Sequence, residues 1–107
     1  VYKRQDKTES VYHYKDMVLN ITEHSISVLG HPISFTRQEF KILELLITNP
    51  KRVFSKKEIY DYAWDDLYIG EDRTINVHVS NIRQKIKAFS DKEYIETVWG
   101  VGFKLAD

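Results

Sequence analysis

Residues 72–90 read DRTINVHVSNIRQKIKAFS, and the spacing of their apolar residues predicts one long amphipathic helix. Five apolar residues follow one another at intervals of 4, 3, 4 and 3, which places them on a single stripe of a helix. We expect this stripe to face a hydrophobic core, and it consists of Ile75, Val79, Ile82, Ile86 and Phe89. The remaining segments of the chain must then supply the elements that cover it.

The opposite face of this helix lacks the usual features of a merely solvated surface. It has no acidic residue between Asp72 and Asp91, whereas a solvated face commonly alternates Glu and Lys. Its side chains offer amide, hydroxyl, guanidinium and ammonium groups and one isolated apolar group, and they belong to Arg73, Val77, Ser80, Asn81, Gln84 and Lys87. Such groups read base edges and bind phosphates in a major groove, although a plain solvent-exposed face is the competing interpretation.

Length and composition favour a single domain without disulfides. The 107 residues suffice for one modest core, and the absence of cysteine excludes disulfides and thiolate metal sites. A reducing cytoplasm is therefore the expected location, and no apolar run is long enough to span a bilayer. Residues 1–10 are polar and aperiodic, so we expect a linker remnant there and the domain over residues 11–107. The first residue is Val rather than Met, which suggests a fragment of something longer.

Charge is distributed unevenly along the chain. The formal net charge is zero, which argues mildly against a nucleic-acid-binding protein. Residues 72–92, however, contain five basic and two acidic residues, whereas residues 55–71 contain two basic and five acidic ones. This polarity fits a helix that faces an anionic partner and a preceding loop that faces a different partner.

Sequence motifs for catalysis or metal binding are absent. The four histidines lack metal-ligand spacing, and the acidic residues between Asp65 and Asp72 lack the spacing of an EF-hand. No Gly-rich phosphate loop, nucleophile elbow or paired-carboxylate cleft is visible. We therefore expect neither an enzyme nor a bound metal or cofactor.

The first third of the chain predicts a β-sheet. Four short runs, VYHY, MVLNI, SISVL and PISF, are rich in β-branched and aromatic residues and lie between residues 11 and 35. Turn signals separate them at residues 15–16, 22–24 and 30–32. This pattern predicts a four-stranded antiparallel meander with one covered face.

Two capping boxes predict the starts of two shorter helices. Thr36 and Glu39 have the required spacing, and the following apolar residues surround most of a helix that we expect to end at Asn49. The second box begins at Ser55, and its helix is expected to direct three residues to the core, namely Ile59, Tyr62 and Ala63.

A hairpin is predicted after the long helix. Residues 94–98 and 103–105 read as short strands joined by Trp99-Gly100-Val101-Gly102, where glycines would let the turn approach a DNA backbone closely. Together the segments predict an α+β fold, a winged helix-turn-helix with an N-terminal four-stranded antiparallel sheet, three helices and a C-terminal β-hairpin wing. In such a module the third helix enters the major groove, and the wing touches DNA alongside it.

Four segments form an ordered set of motifs: FTRQEFKILELL, NPKRVFSKKEIYDYAW, EDRTINVHVSNIRQKI and YIETVWGVGFKL. In order and spacing they resemble the DNA-binding effector domain of OmpR/PhoB-type two-component response regulators, and the resemblance extends over residues 11–106. It implies a transcriptional regulator that binds double-stranded DNA as tandem direct repeats and is joined to an N-terminal receiver domain. It further implies that receiver phosphorylation promotes dimerisation, that the isolated domain is a monomer, and that the loop between Trp64 and Asp72 faces RNA polymerase.

The resemblance also assigns roles to individual positions. The base-facing positions of the third helix are Val77, Ser80, Asn81 and Gln84. The positions that face the DNA backbone are Trp64, Arg73, Thr74, His78, Arg83, Lys87, Thr97, Trp99 and Lys104. The polymerase-facing loop would present Asp65, Asp66, Tyr68 and Glu71.

Two positions depart from the pattern of better-known family members. Those members carry arginine at the position of Ser80 or Asn81 and at the wing-tip position of Trp99. We therefore expect this chain to read bases through amides and Val77, and Trp99 either packs on a sugar-phosphate edge or packs inward. A second functional hypothesis is a winged-helix module that acts mainly through protein contacts, for example with RNA polymerase, and binds DNA weakly.

Overall fold

The computed structural model describes residues 10–64 and 72–107, apart from the side chains of residues 72 and 73. Within these ranges the chain forms the expected α+β winged helix, with a four-stranded sheet, three helices and a C-terminal hairpin. In chain order the elements are β1 (Val11–Tyr14), β2 (Met17–Asn20), β3 (Ser25–Val28), β4 (His31–Ile33), α1 (Arg37–Ile47), β5 (Phe54–Ser55), α2 (Lys56–Ala63), α3 (Asp72–Lys87), β6 (Ile95–Val98) and β7 (Gly102–Leu105).

The N-terminal sheet has the order β1-β2-β3-β4, and all its pairings are antiparallel. Alternation along β2 and β3 gives the sheet one buried face, whose residues Met17, Leu19, Ile26 and Val28 are at most 2% exposed. The bounds of β4 differ from the prediction, because His31, which was expected in a turn, belongs to the strand and the strand ends at Ile33 rather than near Phe35. β4 is an edge strand, and an edge tolerates the missing N–H of proline.

Both predicted capping boxes are formed. The Glu39 N–H donates to the Thr36 hydroxyl at 3.2 Å, and the Thr36 N–H donates to the Glu39 carboxylate at 2.9 Å. The corresponding distances between Ser55 and Glu58 are 3.1 and 2.8 Å. The hydrogen bond from the Ser55 N–H lowers the pKa of the Glu58 carboxyl, and the nearby Arg52 lowers it further. Each box satisfies backbone N–H groups that a helix end otherwise leaves unpaired.

The core lies between the N-terminal sheet, the helices and the wing. The six apolar residues of α1 that were predicted to be buried are at most 8% exposed, and they are Phe40, Ile42, Leu43, Leu45, Leu46 and Ile47. α3 contributes four residues of its stripe to the same core, Ile75, Val79, Ile82 and Ile86, each at most 3% exposed. Among the described residues, no helix has the length and apolarity needed to cross a membrane.

Two residues that were predicted to face the core are exposed. Phe89 is 39% exposed because α3 ends at Lys87, so that the chain leaves the helical stripe before reaching it. Its ring stacks instead on His31, with centroids 5.1 Å apart. Tyr62 is 43% exposed, since Ile59 and Ala63 already occupy the narrow inner side of the two-turn helix α2.

A short strand that the sequence did not predict joins the wing to the helices. β5 pairs with β7, which makes the wing part of a three-stranded sheet of order β5-β7-β6. Two residues are too few to show an alternating pattern, so only the folded chain reveals this strand. Because Ser55 belongs to β5 and also caps α2, the start of α2 is fixed to the base of the wing.

Gly102 serves this sheet rather than a close approach to DNA. A Cβ atom placed on Gly102 would overlap the Phe54 carbonyl oxygen and would lie 2.9 Å from the Ser55 Cα atom. The expectation that both glycines clear the wing tip is thus corrected for Gly102, which lets β5 and β7 pack together. Gly100 does lie in the turn, with a φ of 80° that favours glycine.

Candidate nucleic-acid interface

The exposed side of α3 brings together four residues that were predicted to read bases. Val77 is 51% exposed, and the other three are exposed polar residues. At about 100° per residue, the four lie within an arc of roughly 100° on the helix. We call them the readout face: Val77, Ser80, Asn81 and Gln84. They offer amide and hydroxyl groups around one apolar side chain, which is the chemistry that discriminates base edges.

An ion pair fixes α3 to the start of α1. The Lys85 ammonium lies 2.6 Å from the Glu39 carboxylate and donates to the Ser34 carbonyl at 3.1 Å. Glu39 is only 2% exposed, and the same carboxylate oxygen accepts the Thr36 N–H of the capping box. One buried carboxylate therefore serves both the start of α1 and the position of α3, which supports the readout face from behind.

Arg83 connects α3 to the wing. Its guanidinium donates to the Ile95 carbonyl and to the Thr97 hydroxyl, each at 2.9 Å, and lies 5.8 Å from the Phe103 ring centroid. The structure thus brings together Arg83 and Thr97, two predicted backbone-contacting residues. These two hydrogen bonds hold the wing beside α3, and the contact of Arg83 with the DNA backbone remains a prediction.

Three other predicted backbone-contacting residues meet on one flank of α3. The Trp64 ring stacks on Tyr60 at 4.8 Å and meets His78 edge-on at 4.9 Å. His78 Nδ1 lies 2.7 Å from the Thr74 carbonyl oxygen. A carbonyl oxygen can only accept, so this distance places a proton on Nδ1. Trp64, Thr74 and His78 are half-buried, so this flank combines packing with a partly accessible polar edge.

The wing lies on the other flank, and its tip is the turn at residues 98–102. Trp99 is 89% exposed, so the alternative in which it packs inward is wrong. Val101 is 56% exposed. The Val101 N–H donates to the Val98 carbonyl at 2.9 Å and closes the turn, which leaves the indole ring projecting from the tip.

An open groove of about 580 Å³ separates α3 from the wing. Its lining includes residues that were not singled out as site residues from the sequence, among them Asn76 of α3 and Lys56 and Lys57 at the start of α2. The helical wheel alone puts Asn76 about 100° from Val77, at the border of the readout face. No periodic signal in the sequence shows that the wing and the start of α2 come beside that border.

The two outermost lysines that were predicted to contact the DNA backbone differ in exposure. Lys87 is exposed in the last turn of α3, where a cation suits the negative end of the helix dipole. The Lys104 side chain is only 14% exposed, and its ammonium lies 3.3 Å from Asp107 and 3.7 Å from Glu96. These ion pairs hold Lys104 near the C-terminal end of the wing, and its contact with the DNA backbone remains a prediction.

Several predicted contacts lie outside what the structure describes. These are the side chain of Arg73 and the polymerase-facing loop residues Asp65, Asp66, Tyr68 and Glu71. Their assignments remain predictions from the sequence.

Comparison with known families gives a match over most of the chain. The family model described as "Transcriptional regulatory protein, C terminal" matches residues 30–105. Among curated proteins, the uncharacterized transcriptional regulatory protein YcbL of Bacillus subtilis is 37% identical over 92 residues, which are 85% of this chain and 41% of YcbL. The regulatory protein VanR of Enterococcus faecium is 33% identical over 103 residues, which are 94% of this chain and 45% of VanR. The chain thus spans about two fifths of the length of the curated relatives that it matches.

Solved structures share the fold closely. The DNA-binding domain of the response regulator AdeR, crystallised in complex with an intercistronic region, has a TM-score of 0.79 and 27% identity, covering 90% of this chain and 98% of that one. The response regulator DrrB of Thermotoga maritima, an OmpR/PhoB homologue, has a TM-score of 0.80 and 26% identity, covering 98% of this chain and 49% of that one.

Proposed function

Because this chain belongs to the family of C-terminal domains of transcriptional regulatory proteins, we propose that it is the DNA-binding output domain of a response regulator and reads double-stranded DNA through α3. Members of this family are regulatory domains and not enzymes. The observation that carries the proposal is the readout face, where exposed amide and hydroxyl groups lie on a helix whose other side is locked into the core.

Each group of residues has a distinct task in this proposal. The readout face enters the major groove, where Asn81 or Gln84 pairs with adenine and Val77 packs on a thymine methyl group. Phosphates are bound on the flank of Trp64, Thr74 and His78, and at the edges of the helix by Arg73 and Lys87. Base contacts provide the sequence preference, whereas phosphate contacts provide most of the affinity and the register.

The parent protein supplies the remaining proposed partners. Since the curated relatives are more than twice as long as this chain, we place a receiver domain before it and expect receiver phosphorylation to favour dimers on direct repeats. The isolated domain should be a monomer. The acidic segment after Trp64 would contact RNA polymerase, and a regulator of transcription would act in the cytoplasm of a bacterium.

Selection from random DNA followed by salt titration tests the central proposal. The 107-residue chain should enrich a defined site from a pool of randomised duplexes at low salt. Its affinity for that site should fall with salt at a log–log slope of about −0.9 per phosphate neutralised. Failure to bind any duplex from the pool at low salt would refute the DNA-binding proposal and would favour a module that acts through protein contacts.

Two substitutions separate base reading from phosphate binding. Asn81→Ala should relax the preference at one base pair, with a loss of about 1–3 kcal/mol on the preferred site and little change on sites altered at that position. Lys87→Gln serves as the matched control, because it should weaken all sequences alike and make the salt slope shallower. If Asn81→Ala weakened every sequence equally, Asn81 would not read a base.

A further inference from the structure

The chain passes from α3 into the wing through three residues whose carbonyl groups all accept hydrogen bonds. We call them the junction: Glu93, Tyr94 and Ile95. Their donors come from three different parts of the molecule. The β1–β2 turn donates through Lys15 at 2.6 Å, the segment after β7 through the Ala106 N–H at 3.1 Å, and α3 through Arg83 at 2.9 Å. The N-terminal sheet therefore meets α3 and the wing at one point of the backbone.

The Lys15 ammonium has further neighbours at the junction. It lies over the rings of Tyr14 and Tyr94, at 5.3 and 5.8 Å from their centroids. The two rings meet edge-on, with centroids 5.8 Å apart, and Tyr94 is only 3% exposed. Because the face of an aromatic ring attracts a cation, one carbonyl and two rings together hold the ammonium in place.

The next residue of the same turn makes a second link. The Asp16 carboxylate lies 2.7 Å from the ammonium of Lys92, the residue that precedes the junction. The backbone of the turn is unusual as well, since Lys15 has a φ of 54°, in the left-handed region that L-residues rarely adopt. Glycine or asparagine would fit this turn position more easily. A lysine here therefore points to a use for its side chain.

We propose that Lys15 is a positioning residue for DNA binding: from the N-terminal sheet it holds the junction, and through the junction it sets the angle of the wing beside α3. This inference rests on the proposed DNA-binding function and adds a residue that acts without touching DNA. The route is short, because β6 begins at Ile95, where Arg83 of α3 also donates.

The wing enlarges any movement at the junction. Trp99 at the wing tip lies four residues beyond Ile95, which is roughly 13 Å of strand at about 3.3 Å per residue. A rotation of about 10° at the junction would thus move the tip by roughly 2 Å. A displacement of this size is comparable to the tolerance of a hydrogen bond, so it should change how well the wing and α3 bind together.

Lys15→Met tests this role, because it keeps the length of the side chain and removes the ammonium. A contact can shift a conformational equilibrium only by its own free energy, and one hydrogen bond from an exposed ammonium is weak, so DNA affinity should fall about threefold to fivefold. The log–log salt slope should keep its wild-type value, since Lys15 neutralises no phosphate. A slope shallower by about 0.9 would show that Lys15 itself binds a phosphate, and that result or an unchanged affinity would overturn the proposal.

Two further variants serve as controls. Lys15→Arg should bind within about twofold of the wild type, because a guanidinium can donate to the same carbonyl. Lys41→Met is the matched control, since the Lys41 ammonium also lies over a ring, 5.5 Å from the Tyr62 centroid, and pairs with Glu44 of its own helix. It should keep the wild-type affinity. If Lys41→Met weakened binding as much as Lys15→Met, the loss of a charge would be the cause and the proposal would fail.

Distances between two spin labels report the position of the wing in the absence of DNA. The chain has no cysteine, so a pair can be introduced with Arg37→Cys at the start of α1 and Val101→Cys at the wing tip. Double electron–electron resonance should give a shifted or broader distance distribution once Lys15→Met is added to this pair. Coinciding distributions would refute the proposal even if the chain binds DNA. A wild type that binds no duplex would instead refute the proposed function, and the label distances would still decide whether Lys15 positions the wing.

Discussion

The close packing of β5 on β7 makes Gly102→Ala a sharp test of how the wing is anchored. A methyl group at this position would overlap the Phe54 carbonyl oxygen, 2.8 Å from the carbonyl carbon and 2.9 Å from the Ser55 Cα atom. All three obstacles are backbone atoms, and backbone cannot rotate away as a side chain could. The strand pairs Phe54–Phe103 and Ser55–Gly102 must therefore separate to admit the methyl group.

The expected cost combines two effects of this separation. Overpacking of a filled interior costs about 1–3 kcal/mol. A buried backbone hydrogen bond that loses its partner costs about 1–3 kcal/mol more. We expect a loss of about 3 kcal/mol or more in the free energy of unfolding, against a total of about 5–15 kcal/mol for a domain of this kind. The corresponding fall in Tm is roughly 10–20 °C.

Thermal and urea unfolding of Gly102→Ala, followed by circular dichroism, would measure this loss. Gly100→Ala is the matched control in the same hairpin, because a Cβ there has no atom within 4 Å and meets only the cost of a φ of 80°, about 1–2 kcal/mol. A Gly102→Ala variant that melts within about 3 °C of the wild type but binds DNA poorly would refute the packing role and restore the view that this glycine serves the interface.

Three further predictions concern the packing of α3 and the sheet. Lys85→Met should lower the free energy of unfolding by about 1–2 kcal/mol in urea titrations, because it leaves the buried Glu39 carboxylate without its cation. The loss is moderate because the Lys85 side chain is itself partly solvated. If Lys85→Arg, which keeps the charge, lost as much, the ion pair would not be the cause. Ile86→Ala should lower the free energy of unfolding by about 2–5 kcal/mol, and Phe89→Ala should lower it clearly less. If Phe89→Ala caused the larger loss in the same assay, Phe89 would have to be part of the core. Stability in thermal melts should fall between pH 10 and 12, because burial raises the pKa of Tyr14 from 10.0 to about 12 in the folded chain and the unfolded chain loses its proton first; an alkaline limb that Tyr14→Phe leaves unchanged would contradict this.

Features that depend on local spacing could be predicted from the sequence. The stripe of α3 and both capping boxes require only a periodic pattern or a fixed offset, and apart from Phe89 the structure has them where the sequence puts them. The exposure of the readout face follows from the same periodicity, because burying Ile75 and Ile82 turns Val77 and Asn81 outward.

Features that depend on tertiary contacts could not be predicted. The two-residue strand β5 and the packing role of Gly102 exist only because two distant segments meet. From the sequence alone Lys104 looks like an unpaired cation, whereas in the folded chain it forms ion pairs with Asp107 and Glu96. Phe89 continues the apolar spacing of α3, yet the helix ends before it, and helix ends are the least reliable part of any such pattern.

Each capping-box glutamate both starts its own helix and makes a second contact outside that helix. Glu39 starts α1 and also binds Lys85 of α3, while Glu58 starts α2 and also binds Arg52 at 2.6 Å. Ser55, the partner of Glu58, belongs to the strand that pairs with β7 of the wing. The signals that begin two helices therefore also orient α3 and the wing, so that the readout face and the groove beside it are held by one connected set of contacts. A substitution that breaks either capping box should therefore shift α3 and the wing as well as fray the start of its own helix. The resulting loss of DNA affinity should exceed the loss expected from a frayed helix end alone.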